Sequence, residues 1–285
     1  MGISGFKITY NKGSVVEQTM SSLSKFFTTP FEEFYRYREL IFYQLKGELK
    51  RKHFGKILGP AWWIGEPLAL GVMFVFVTSF LFKDNFGEHH TIAIIAGVLI
   101  WHWFSRSVAG SPNLLLGFRK ELAMTNFPIY PLIYTNILNQ LMIFGFSLIV
   151  IFIGLFISGV TLTPYVLYIP ILVIVQMTMI IAIVTNMAKL GIFVRDITQV
   201  VTVIVGILFF VSPIIYQKFL VPTEYKFWYD LNPLATLLPA WRDVLINGVQ
   251  PDLINLGIWF VIFLPIAFYG FRSLTKSRAE YYRRL

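Results

Sequence analysis

The sequence predicts an all-helical integral membrane protein: six transmembrane helices, an N-terminal amphipathic helix at the interface, and short external helices between the fifth and sixth spans. Three observations predict it. Of 285 residues, 56% are hydrophobic and only 14% charged, with a mean hydropathy of +0.67, whereas a soluble chain is about a quarter charged. Six segments approach the roughly 20 apolar residues that cross a bilayer. The 24 Lys and Arg residues are distributed very unevenly among the segments between those spans.

Residues 1–30 form an N-terminal cytoplasmic segment. Its start, "MGISGFKITYNKGSVVEQTM", has no apolar core followed by a small-residue cleavage site, so no signal peptide is expected. Residues 31–58 are the interface helix. Phe31, Phe34, Phe42, Leu45 and Leu49 recur at near-helical spacing, while Glu32, Glu33, Arg36, Lys46 and Lys50 fill the other face. The basic run Arg51, Lys52 and Lys56 then meets hydrocarbon without a linker. Near an anionic leaflet each such charge contributes about 1 kcal/mol, so these three are assigned to lipid head groups. A plain anchor and a docking shelf for a cytoplasmic partner both fit this pattern.

The six-span domain covers 59–285, with spans at about 61–82, 92–111, 132–158, 164–188, 198–216 and 253–271. In lipid the backbone must satisfy itself, so these are helices; the alternation of a membrane barrel is absent. With six spans both termini share one side. Residues 1–60, the 106–131 loop, 189–196 and the tail carry 20 of the Lys and Arg residues, against four on the other side (Lys83, Lys218, Lys226, Arg242). That asymmetry makes both termini cytoplasmic. The net charge of +9 is then a topology signal, and nucleic acid is not expected as a partner.

Two connections are long. The cytoplasmic one, "GFRKELAMTNFPIYPL" (117–132), reads as a short helix broken by Pro128 and Pro131. The external one, 217–252, contains Trp228, Tyr229, Leu237, Leu238 and Trp241, which argue against a free loop. Two short helices partly dipping into the outer leaflet are expected there.

Chemistry is sparse. No G-x-x-x-x-G-K-[ST] occurs, His53, His89, His90 and His102 do not share a ligand face, no span holds a carboxylate pair, and there is no cysteine. No catalytic residue, metal site or cofactor is therefore expected on this chain. Within "WHWFSR" (101–106), Trp101 falls about 14 Å into the second span. His102 and Arg106 lie at i and i+4, with Ser105, Ala109 and Asn113 continuing the stripe. An Arg facing lipid costs about 2.5–3.5 kcal/mol, so the stripe should face protein or water. The alternative is a span that ends at Ser105, with Trp101 and Trp103 in an inner-leaflet belt.

Several short stretches carry a resemblance: "LKRKHFGKILGPAWWIGEP" (49–67), "AGVLIWHWFSRSV" (96–108) with Phe127-Pro128 after it, "RDI" (195–197), "SPIIY" (212–216) and "LNPLATLLPAWRDVLING" (231–248). In this order and topology the chain resembles the type-2 ABC exporter permeases of the polysaccharide-export branch, which moves O-antigen, capsule and teichoic acid. The resemblance runs from residue 31 to the end. It implies a pore between two copies of the chain, two separate ATP-binding subunits carrying ATP and Mg, and a lipid-linked glycan as cargo in a bacterial inner membrane. The coupling loop would be Arg119, Glu121, Phe127 and Pro128. The external gate would include Asn232, Pro233, Trp241 and Arg242. The conduit would draw on Trp62, Trp63, Trp101, His102, Trp103 and Arg106, since aromatic rings offer a register-tolerant surface to sugars. A drug or lipid exporter of the same architecture is the competing reading. A secondary transporter would need midplane ionisable groups or broken helices.

Overall fold

The computed structural model describes residues 30–53, 61–82, 89–118, 122, 128–194, 196–216 and 221–276. Among them every regular element is helical. Helix α1 (Arg38–His53) follows a helical turn at 30–36; α2 is Trp62–Phe82, α3 His90–Ala109, α4 Ile129–Ile157, α5 Ile169–Phe193, α6 Ile197–Val211, α7 Lys226–Asp230, α8 Pro233–Arg242 and α9 Leu253–Lys276. Among the described residues four stretches are long and apolar enough to cross a membrane: 90–113, 129–157, 164–193 and 253–274. In α2 the apolar part is 64–77, and α6 has only 15 residues. Each of the six expected segments thus holds a helix, and four meet the length and hydropathy of a span.

Helix α3 runs through the centre of the bundle and touches α2, α4, α5, α6 and α8. Its Val98, Leu99, Ile100 and Phe104 are almost fully buried. Small residues allow the closest approaches. A Cβ at Gly270 of α9 would collide with Thr185 Oγ1 of α5, and one at Gly191 of α5 would collide with the Pro112 carbonyl. Close backbone contact through small residues is how helices associate where lipid removes the hydrophobic drive. Hydroxyls inside the bundle bond back to their own helices: Ser107 donates to the Trp103 carbonyl (2.7 Å), Thr178 to Ile174 (2.8 Å) and Thr185 to Ile181 (2.8 Å).

Two expectations need correction. Pro131 does not break a helix. It lies in the first turn of α4, where its missing N–H has no intrahelical acceptor to lose, and the extended Pro128 (φ −70°, ψ 134°) precedes it. The fifth segment stops at Val211 instead of running to 216, because Ser212 before Pro213 is extended (φ −89°, ψ 149°). The N-terminal helix packs on the bundle through Ile41, which is fully buried, while Phe31 (71% exposed) and Phe42 (51% exposed) of the apolar face stay clear of it. The contact seam is Phe34, Ile41 and Gln44 against the start of α4. The Phe34 and Tyr134 rings meet edge to face at 5.2 Å, and the Tyr134 hydroxyl donates to the Pro30 carbonyl at 2.7 Å. Thr135 donates to Gln44 Oε1 at 3.0 Å.

Candidate functional site

Three groups of expected residues can be followed into the fold. The first lies where α2 begins and α3 ends, since these neighbours run in opposite directions. Glu66, one turn into α2, forms an ion pair with Arg106, one turn before the end of α3. The Arg106 Nε also donates to His102 Nε2 at 3.2 Å, and the Ser105 hydroxyl donates to the His102 carbonyl at 3.2 Å. Farther along, Thr198 of α6 donates to Asn113 Oδ1 at 3.0 Å. The pair lies at the surface of the subunit, with Arg106 53% and Glu66 51% exposed. Facing hydrocarbon, such an arrangement would be costly even when paired, so this surface suits water or another polypeptide.

The tryptophans beside it turn inward. Trp101 packs edge-on against Phe209 (5.7 Å) and tilts against Phe104 (5.3 Å). Trp103 stacks on Phe144 at 4.2 Å, which in turn meets Trp241 edge to face at 5.6 Å. Trp62 is exposed at the start of α2, where the backbone of Trp63 follows it.

The second group lies at the other end of α3, where α8 docks. Asn232 caps α8: its Oδ1 accepts from the Leu234 N–H (3.0 Å), with Pro233 at the first helical position. Its Nδ2 donates to Ser212 Oγ at 3.0 Å. At the far end of α8, the Arg242 guanidinium donates to the carbonyls of Pro213 (3.3 Å), Ile214 (3.3 Å) and Tyr216 (3.4 Å). These carbonyls lost helical partners when α6 stopped. Burial lowers the proton affinity of Arg242, with Asp243 opposing, but a guanidinium stays charged. Trp241 is fully buried and donates from Nε1 to Gln176 Oε1 (2.8 Å), while Gln176 Nε2 donates to the Ile100 carbonyl (3.3 Å). The stretches "NPL", "AWR" and "SPIIY" are therefore two halves of one clamp. A π-helical turn (Asp243–Asn247) and the left-handed Gly248 (φ 63°) close the segment.

The third group is the N-terminal end. A groove of about 190 Å³ lies between α1 and α4, lined by Gln44, Gly47, Glu48, Phe118, Leu132 and Thr135. Pro128 leads into α4 beside it. Arg119, Glu121, Phe127 and Lys56 lie outside the described residues; Arg51 and Lys52 are in the last turn of α1. Sequence reasoning missed Glu66, Gln176 and Ser212. Glu66 and Gln176 were visible as polar residues inside apolar segments, but their partners are 40 and 65 residues away. Among the described residues no group of three or more His, Asp or Glu converges as a metal site would require.

No family model matches the chain. It is 25% identical over 202 residues to an O-antigen export system permease protein RfbA of Klebsiella pneumoniae, covering 70% of this chain and 78% of the relative. A second protein of that name from the same species is 26% identical over 203 residues, covering 71% and 78%. That of Myxococcus xanthus is 26% identical over 253 residues, covering 87% of this chain and 97% of the relative. The chain resembles the O-antigen export permeases. With its apolar helices, this likeness points to a multi-pass membrane permease rather than to an enzyme. In this permease-like chain the α6–α8 clamp and the Glu66–Arg106–His102 cluster occupy opposite ends of α3.

Proposed function

We propose that the chain is the transmembrane subunit of an ATP-driven exporter that moves a lipid-linked cell-envelope polysaccharide, O-antigen first among them, across the bacterial inner membrane. Two copies form the conduit, and two separate ATP-binding subunits supply the energy and hold ATP and Mg. All six apolar segments span, both termini are cytoplasmic, α1 and the loop around Phe127 receive the ATPases, and α7 with α8 forms the external gate. The observation that carries this reading is the similarity to three O-antigen export permeases over 70–87% of the chain. The geometry gives support. A half-exposed ion pair where α2 begins and α3 ends supports a polar passage at what would be the cytoplasmic mouth. Deletion of the gene tests the proposal. Polysaccharide should still be made but accumulate inside, surface display should return with the intact chain, and the tagged chain should co-purify with an ATPase. Normal surface polysaccharide in the deletion strain would refute it.

A further inference from the structure

Between the end of α6 and α7 lies a cavity of about 650 Å³, within the range of roughly 300–1,000 Å³ typical of small-ligand sites. Phe209, Phe210, Tyr216, Tyr225, Trp228 and Tyr229 make most of its wall, and Ser212 adds a polar group. The mouth is open: Trp228 and Tyr225 are 69% and 60% exposed. Tyr229 differs from them. Its side chain is 5% exposed, and its phenol oxygen is buried with no hydrogen-bond partner. The nearby polar groups bond elsewhere: Tyr216 donates to the Val211 carbonyl (2.5 Å), and Ser212 accepts from Asn232. Burial pushes the Tyr229 phenol far above its ordinary range, so the group stays a neutral donor.

A buried hydroxyl without a partner is costly to keep. Aromatic walls offer flat apolar area, and one donor at depth asks for an acceptor. A pyranose ring brings both, an apolar C–H face and a rim of hydroxyls. An acyl chain would leave Tyr229 unpaired. Among the described lining residues none is charged, which suits a neutral sugar. We propose that this cavity is a subsite for one neutral pyranose unit of the exported glycan, with its C–H face on the aromatic wall beside Trp228 and a hydroxyl bonded to the Tyr229 phenol. The proposal rests on the export reading above. It adds a resting place for the polymer beside the gate, where a sugar is held after it leaves the conduit.

The test uses the assembled exporter in cells that make their own envelope glycan, which serves as the probe. A photoreactive benzoyl-phenylalanine replaces Trp228 at the mouth. Irradiation should give a high-mass adduct of the permease that stains after periodate oxidation and is absent from cells unable to begin glycan synthesis. Tyr229→Phe keeps the ring and removes only the hydroxyl. It should cut the adduct yield about fivefold, the weight of one neutral hydrogen bond. An adduct with a single phospholipid or with a second permease instead, no glycan adduct at 228, or an undiminished yield in Tyr229→Phe would overturn the subsite. The same photoprobe at Trp62 serves as a conduit control. Glycan captured there and not at 228 removes the subsite and leaves the export reading intact, whereas normal surface glycan in the deletion strain removes the export reading itself.

Discussion

The Trp241 indole donates to Gln176 at 2.8 Å, and Gln176 passes its own N–H to the Ile100 carbonyl. One amide thus ties α8 to both α5 and α3 in a region with no exposure to solvent. Gln176→Leu removes the acceptor and strands the indole N–H. It should lower the stability of the purified protein by about 1 kcal/mol, seen as a drop in melting temperature in detergent. The double variant with Trp241→Phe should lose less than the sum of the two single variants, because no buried donor is left unpaired. Strict additivity would mean that the amide links nothing.

Glu66 and Arg106 form the second testable contact. Glu66→Gln leaves the Arg106 guanidinium without its counter-charge one turn inside the span. Export should fall more than tenfold in surface-glycan assays. The exchanged pair, Glu66→Arg with Arg106→Glu, should recover a substantial share of it, since the attraction depends on opposite sign more than on order. No recovery would show that each residue acts separately.

Close approach of α9 to α5 depends on Gly270. Gly270→Val forces its side chain onto Thr185 and Asn186. The cost is expected at about 1–3 kcal/mol, as for other overpacked interiors. It should appear as reduced membrane abundance and a lower melting temperature. Wild-type behaviour would mean that the two helices stand farther apart than described.

Topology is directly measurable because the chain has no cysteine. Single cysteines at Asn85 and Lys226 should react with an impermeant maleimide in intact cells. Those at Lys120 and Lys276 should react only after lysis. Labelling of Lys120 from outside would invert the whole assignment.

The loop preceding α4 is the proposed contact with the ATPase. Phe127→Ala should leave the permease folded and in the membrane, yet weaken co-purification of the ATPase or separate hydrolysis from export. Full coupling in this variant would remove Phe127 from the interface.

The helical class was legible because hydropathy reports on it along the chain. Boundaries followed less well where local chemistry outweighs hydropathy. Ile214 and Ile215 extend an apolar run, but Pro213 constrains Ser212 and ends α6 at Val211. The N-terminal helix shows a different limit. Phe31 and Phe42 are apolar, yet the packed face follows Tyr134 and Thr135 of α4, and no periodicity within residues 31–58 contains that information. The candidate site was half legible. Asn232, Trp241 and Arg242 were singled out, but their partners Ser212 and Gln176, like Glu66 opposite Arg106, are fixed by tertiary approach alone. Tyr229 was noted as an aromatic in the external segment, while the isolation of its hydroxyl depends on what surrounds it.

Fifteen residues give α6 a rise of about 22 Å, roughly 8 Å short of a hydrocarbon core about 30 Å thick. If α6 spans as proposed, lipid beside it would thin to meet it, at an elastic cost that grows with acyl length. Through the Arg242 and Asn232 clamp that cost would be shared by α8. On the proposed export reading, membrane thickness would then be a mechanical input to the gate: longer-chain lipids would load the α6–α8 unit and shorter-chain lipids would relax it.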